Sequence, residues 1–178
     1  MVERILSWGL SHEAATIIIA ALPVVELRGA LPMAINLFHM EWYKAFYLAL
    51  VGNMLPVPIL LLFLDALAGA VSRVPVGQRM VNRVFDQTRR RGTTIEKYER
   101  IGLTLFVAIP LPFTGAWTGS IAAFLLRLKF RHAFLSILAG VVIAGAIITS
   151  LCLLGWAGAL IAGVALSTLA VLGWWRKD

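Results

Sequence analysis

Prolines interrupt two apolar stretches of this chain, residues 20–32 and residues 108–119. Proline lacks a backbone donor and breaks a helix, so each stretch predicts two short helices joined by a turn. In the first stretch the short helices cover about residues 12–22 and 30–38. Each is shorter than the about 20 residues that a helix needs to cross a bilayer. The pattern therefore predicts a re-entrant helical hairpin in each half of the chain.

Longer apolar segments complete each half. Residues 44–71, 132–154 and 156–175 are long enough for full transmembrane helices, and the last of them ends in an aromatic and basic anchor. Residues 73–100 form the sustained polar region, in which an apolar stripe opposite arginines predicts a helix on the membrane surface. The predicted fold is all-α: a polytopic membrane protein with two re-entrant hairpins and about three full transmembrane helices.

The two halves also share residues at a nearly constant spacing. Ala45, Phe46, Leu50 and Gly52 match Ala133, Phe134, Leu138 and Gly140 at a shift of 88, and Pro23 matches Pro110 at a shift of 87. A repeated order of broken segment, loop and full span accompanies the match. We therefore expect one membrane domain over residues 1–178, which divides into repeat one (about 11–73), a basic linker (73–100), repeat two (about 101–160) and a C-terminal span (about 156–175).

Composition supports the membrane assignment and excludes other classes. The chain is 60% hydrophobic and 14% charged, with a mean hydropathy of +0.87, which is too apolar for a water-soluble domain. The net charge of +7 comes from basic residues that flank apolar segments, so we expect membrane lipids as partners and no nucleic acid.

Charge bias predicts the orientation. The 73–100 linker is rich in Lys and Arg, and the 127–132 loop carries three such residues, whereas the 39–44 loop carries one. By the positive-inside rule, the linker, the 127–132 loop and the C-terminus should be cytoplasmic. The two hairpins then enter from opposite sides, which is an inverted-topology repeat.

The candidate binding site is the pair of hairpin tips. Glu26 and Arg28 are ionisable residues at membrane depth, where charges are functional by default. One interpretation is that Glu26 exchanges protons and Arg28 holds an anion; the alternative is an internal ion pair that only supports the fold. Gly29 and Gly115 permit close backbone approach, and Thr114 adds a hydroxyl.

Three further charged residues are open to two interpretations. Asp65, inside the first full span, is either a second proton site or a structural neighbour of a cytoplasmic arginine. Arg127 and Arg131, at the cytoplasmic edge, either bind a phosphate headgroup or only determine topology.

Other kinds of chemistry lack a sequence basis. The three histidines have no metal-ligand spacing, Cys152 is the only cysteine, and no nucleotide-binding or nucleophile motif is present. We expect no enzymatic activity, no metal and no cofactor. Small residues four positions apart, Gly158 with Ala162, permit a homodimer or close packing within the chain.

The two hairpin motifs carry a family resemblance. Residues 26–32 and 110–119 resemble the two signatures of the putative small multi-drug export protein family, which is related to the DedA membrane proteins, and the resemblance covers essentially the whole chain. It implies hairpins that meet at the midplane of a prokaryotic inner membrane, and proton-coupled transport. DedA relatives are linked to the recycling of undecaprenyl phosphate, a lipid carrier of cell-wall synthesis, so the resemblance also implies a substrate of this kind.

The resemblance also assigns residues. It places the family's acidic and basic hairpin residues at Glu26 and Arg28, and its exit arginines at Arg127 and Arg131. DedA proteins usually carry a further arginine in the second hairpin, where Thr114 or a neighbour stands here.

The resulting hypothesis is a secondary transporter that couples protons to the movement of an anionic substrate such as a lipid phosphate. A second hypothesis is proton-driven export of cationic drugs, with Glu26 and Asp65 binding the cation. A third is a non-transporting membrane scaffold or lipid scramblase.

Overall fold

The part of the chain that the computed structural model describes is helical throughout. It comprises residues 11–71, 93–111, 114–155 and 157–158, and for residues 65, 67–71 and 93–97 it describes the backbone only. The helices are α1 (His12–Ala21), α2 (Glu26–Pro32), a π-helical turn (Met33–Leu37), α3 (Trp42–Met54), α4 (Pro56–Val71), α5 (Thr93–Ala108), α6 (Ala116–Leu125) and α7 (Phe130–Leu153). Within these ranges there is no strand.

The first hairpin consists of α1 and α2. Ser11 caps α1 by accepting a hydrogen bond from the Ala14 amide at 3.3 Å, and the helix ends just before Pro23. The predicted helix over about 12–22 is thus confirmed. The second short helix begins at Glu26, four residues earlier than predicted, because its apolar positions bury one continuous face from the first turn. The tip is therefore only residues 22–25.

Within the described part of the chain, two helical stretches are long and apolar enough to cross a membrane. One is Trp42–Leu64, with 23 residues and a mean hydropathy of 2.1, and the other is Phe130–Leu153, with 24 residues and a mean hydropathy of 2.4. The first comprises α3 and the start of α4, which are separate helices because Pro56 cannot donate the next backbone hydrogen bond. Large apolar side chains on their surfaces, such as Ile59, Phe63 and Leu135, are exposed, as a lipid-facing surface requires.

The long helices pack against the first helix of their own hairpin at equivalent glycines. Gly52 of α3 lies against the Ile17 carbonyl and Ala20 of α1, and a Cβ atom there would overlap them. Gly140 of α7 lies in the same way against the Thr104 carbonyl and Val107 of α5. The glycines are 88 positions apart and their partners 87, so the repeat in the sequence is also a repeat of packing.

Helix boundaries repeat at the same spacing. The long helices begin at Trp42 and Phe130, which are 88 positions apart. Just before them, His39 and Arg127, also 88 apart, have positive φ angles of 49° and 53°. In each half, a residue with left-handed backbone conformation thus forms the turn between the hairpin and the long helix.

The two halves join through the second helix of each hairpin. Helix α2 packs on α7, and α6 packs on α4, so each short helix lies on the long helical stretch of the other half. This arrangement brings the start of α2 against the start of α6 in the core. The predicted C-terminal span lies outside the described residues except for residues 157–158, as does most of the predicted linker.

Candidate functional site

Glu26 is the buried acid at the junction of the hairpins. Its side chain is only 6% exposed, and its Oε1 accepts a hydrogen bond from the Trp117 amide at 3.3 Å. That amide belongs to the first turn of α6, where unpaired N–H groups favour a negative charge. Glu26 also has a φ of 51°, a conformation that costs a non-glycine residue of order 1–3 kcal/mol and clusters at functional sites.

Arg28 also connects the first hairpin to the second, but as a donor to backbone carbonyls. Its guanidinium donates hydrogen bonds to the Thr114 carbonyl and, at 3.5 Å, to the Val107 carbonyl. Val107 is in the last turn of α5, where unpaired carbonyls favour a positive charge. The two charges of the first hairpin are therefore bound to the broken helix ends of the second.

This arrangement differs from the internal ion pair that was the alternative interpretation of Glu26 and Arg28. Each of the two side chains has its hydrogen-bond partners on the backbone of the other half. An ion pair of this kind lies on the surface instead, between Lys44 and Glu13 at 2.8 Å.

Gly115 lets the carboxylate reach the end of α6. A Cβ atom at this position would overlap the Glu26 carboxylate, so only glycine fits. The Gly115 amide donates to the Thr118 hydroxyl at 2.9 Å, which completes the cap of α6. The Thr114 hydroxyl is directed back to its own loop, where it bonds the Ile109 carbonyl at 2.7 Å. Only the Thr114 carbonyl takes part in the junction.

A small cavity of about 10 Å³ lies between these groups. Its polar lining includes Glu26, Arg28 and Asn53, and the rest comes from Gly115 and apolar residues of α2, α5, α6 and α7. This volume is about that of one water molecule. In this conformation the junction is closed to any larger ligand.

The sequence profile of one protein family, described as putative small multi-drug export protein, matches residues 26–147. That range is more than half of the chain and includes α2, the tip of the second hairpin and α6. The chain belongs to this family. No curated protein and no solved structure gives a significant match. The relation to DedA proteins stays a prediction.

Of the residues predicted for the site, three line the cavity of this small multi-drug export family member: Glu26, Arg28 and Gly115. Gly29 is not part of the lining; a Cβ atom there would meet the Val25 side chain instead. Thr114 contributes its carbonyl through Arg28.

The remaining predicted residues lie elsewhere. Arg127 and Arg131 are exposed at the turn between α6 and α7 and do not line the cavity. Asp65 is on α4, and its side chain lies outside the described part of the structure. The structure therefore does not bring the two arginines to the junction.

Two residues of the junction were missed from the sequence as binding residues. Asn53 is 2% exposed and lines the cavity, and its Oδ1 has no hydrogen-bond partner among the described residues. Trp117 ties the hairpins together, because its Nε1 donates to the Ala21 carbonyl at 3.1 Å. The signal for Asn53 was a polar residue within an apolar span. Nothing in the one-dimensional pattern pointed to Trp117.

Metal binding has no support among the described residues, where no group of three or more potential ligands occurs. The junction combines the Glu26 carboxylate, the Arg28 guanidinium and the buried Asn53 side-chain amide beside a cavity of about the size of one water molecule. These groups can exchange a proton and hold a negative charge.

Proposed function

We propose that this protein is a proton-coupled secondary membrane transporter whose binding site is the junction of the two hairpins, and that its substrate is anionic. One observation carries the proposal: the Glu26 carboxylate occupies the amino end of α6 beside Arg28. The junction is thus already built to hold a negative charge. Its present occupant is a side chain that a proton can neutralise.

Coupling follows from competition for this position. A hydrogen bond to a charged group contributes about 1.5–3 kcal/mol, so protonation of Glu26 weakens its attachment to α6. The amides of α6 then become available to a substrate anion, and the positive charge of Arg28 beside them attracts it. When the proton leaves, the carboxylate returns and displaces the substrate. Asn53, with a buried oxygen beside the water-sized cavity, is suited to hold a water molecule on the proton's path.

Binding a substrate requires the hairpins to separate. Ligand sites usually have a volume of about 300–1,000 Å³, far more than the about 10 Å³ at this junction. The junction lies between the two repeats, and the contacts that must change are those of α2 with α7 and of α6 with α4. Rocking of one repeat against the other is the usual way in which such transporters alternate access.

The membrane arrangement is part of the proposal. We infer that α1 and α2, and α5 and α6, are re-entrant hairpins, because α1 and α6 have 10 residues each and span about 15 Å, half of the bilayer core. The repeats are inverted, with the basic 127–132 loop in the cytoplasm of a prokaryotic cell.

A lipid phosphate is the substrate that we favour, following the resemblance to DedA proteins. A second candidate is export of cationic drugs, which the description of the matching family favours. In that case the cation would replace the proton at Glu26. Arg28, bound in the same junction, opposes a second positive charge, which is why we rank the anion first.

The test is translocation of a fluorescent polyprenyl phosphate in proteoliposomes with and without an imposed pH gradient. The gradient should stimulate movement by the wild type, and Glu26→Gln and Arg28→Ala should each reduce the stimulated rate at least tenfold. Glu13→Gln is the matched control, because this carboxylate is on the surface and pairs with Lys44. It should stay within about twofold of the wild type.

Other outcomes separate the alternatives. Proton release on addition of a quaternary ammonium dye, without movement of the lipid phosphate, would establish drug export instead. Movement of every lipid irrespective of headgroup and pH gradient would indicate a scramblase. Full gradient stimulation in Glu26→Gln would remove Glu26 from the mechanism.

A further inference from the structure

A second cavity lies on the outer surface of the second repeat, between α5 and α7. This groove has a volume of about 420 Å³, which is in the range of small-molecule sites. Its polar lining consists of Arg100, Thr104, His132 and Ser136. Exposed leucines, Leu105 and Leu135, form part of its apolar lining. The groove is separate from the junction, with which it shares no lining residue.

The equivalent surface of the first repeat carries different charged residues. At the positions equivalent to Arg100 and His132, 87 and 88 residues earlier, stand Glu13 and Lys44. They form an ion pair at 2.8 Å, in which the two charges neutralise each other. The second repeat replaces the acid of this pair by an arginine. The two repeats thus share the helix arrangement at this position but differ in the charge of the residues that it carries.

The polar floor differs between the repeats in the same sense. Thr104 and Ser136 are equivalent to Ile17 and Leu48 in the first repeat, so two apolar side chains are replaced by hydroxyl groups. The Thr104 hydroxyl donates to the Arg100 and Ser136 carbonyls at 3.0 and 3.2 Å and joins α5 to α7, so Arg100, and not this hydroxyl, attracts an anion. The adjoining acid Glu99 is not part of the lining, so the charge of the lining is that of Arg100. This end of the groove favours a negatively charged group.

We propose that the α5/α7 groove binds one anionic phospholipid of the surrounding membrane. Its phosphate lies against Arg100 beside His132, and an acyl chain follows the apolar side chains of Leu105 and Leu135. Arg100 and Leu105 are five residues apart on α5, which is about 7.5 Å along the helix axis, so the charged and apolar parts are arranged as in a lipid. Basic pockets between transmembrane helices are sites for anionic headgroups.

This inference does not depend on transport through the junction. It requires only that the groove faces lipid, as the exposed apolar side chains beside it indicate.

The test is a lipid-binding measurement on the purified full-length protein by native mass spectrometry, with phosphatidylglycerol compared against phosphatidylcholine. The wild type should retain phosphatidylglycerol more tightly. Arg100→Gln should weaken this binding about fivefold, which corresponds to about 1 kcal/mol for one cationic side chain near an anionic membrane. Leu135→Trp should weaken it as well, because the indole fills the groove without changing any charge.

Lys129→Gln is the control, since Lys129 has the same charge and the same end of the bundle but does not line the groove. It should leave phosphatidylglycerol binding within twofold of the wild type. Equal losses in Lys129→Gln and Arg100→Gln, or no loss in Leu135→Trp, would overturn the proposal in favour of diffuse surface charge. Displacement of the lipid by millimolar inorganic phosphate would show a site for free phosphate and not for a phospholipid. Thermal unfolding of each variant verifies that it is folded.

Discussion

At the scale of single residues, the junction is built from charges that are paired with backbone. Glu26 meets the amino end of α6, and Arg28 meets carbonyls near the end of α5. A buried charge is tolerated only when such partners compensate for the loss of water. The arrangement depends on Gly115, the position at which the first hairpin comes closest to the second.

Gly115→Ala should therefore disrupt the junction. The added methyl group overlaps the Glu26 carboxylate and forces it away from α6. We expect a loss of about 1–3 kcal/mol from overpacking, or about 2–4 °C in Tm for each kcal/mol, together with loss of gradient-stimulated transport. Thermal unfolding in detergent and the transport assay measure the two effects.

Gly102→Ala is the control for this substitution. Gly102 is also a glycine of the second repeat, on α5, but a Cβ atom there meets nothing within 4 Å. Alanine should leave transport unchanged and stabilise the helix by up to about 1 kcal/mol. A Gly115→Ala protein with the Tm and the transport rate of the wild type would contradict the proposed geometry of Glu26.

At the scale of helices, the two repeats are held together internally by the same contact. In each, a glycine of the long helix lies against a backbone carbonyl of the first hairpin helix: Gly52 on α1 and Gly140 on α5. Small residues at such positions let helix backbones approach closely, which is the main source of attraction between helices in lipid.

Gly52→Ala and Gly140→Ala should therefore be destabilising to a similar degree. Each methyl group meets backbone that cannot rotate away, so the helices must shift, at a cost of about 1–3 kcal/mol. Chemical or thermal unfolding of the two single variants tests the equivalence. A large effect for one glycine and none for the other would mean that the two equivalent contacts contribute unequally to the free energy of unfolding.

At the scale of the whole molecule, the cross-packing of α2 on α7 and of α6 on α4 makes the centre an interface between two related halves. If the halves are inverted in the membrane, then His39 and Arg127, which occupy the same position in each, face opposite sides.

Labelling of single cysteines tests this orientation. In a Cys152→Ser background, His39→Cys should react with a membrane-impermeant maleimide from outside intact cells, whereas Arg127→Cys should react only after permeabilisation. Both positions are exposed turn residues, so their intrinsic accessibility is matched. Reaction of both cysteines from the same side would establish a parallel repeat and remove the inverted topology.

The sequence alone determined the class of protein, the repeat and much of the helix order. Proline breaks, apolar length and the 88-residue shift are local or periodic signals, so they identified α1 and α7 and singled out Glu26 and Arg28, whereas the single span predicted over residues 44–71 is divided by Pro56 into α3 and α4. The start of α2 was predicted four residues too late, because burial of the helix face decides where the helix begins.

Only the tertiary structure decided what these residues contact. Arg28 and the Thr114 carbonyl are 86 positions apart, and Glu26 and the Trp117 amide are 91 apart. No periodicity specifies such partners, because they depend on how α2 and α6 cross the other half. The same holds for the cavity beside Asn53 and for the groove of the second repeat, since a volume arises only where several helices meet.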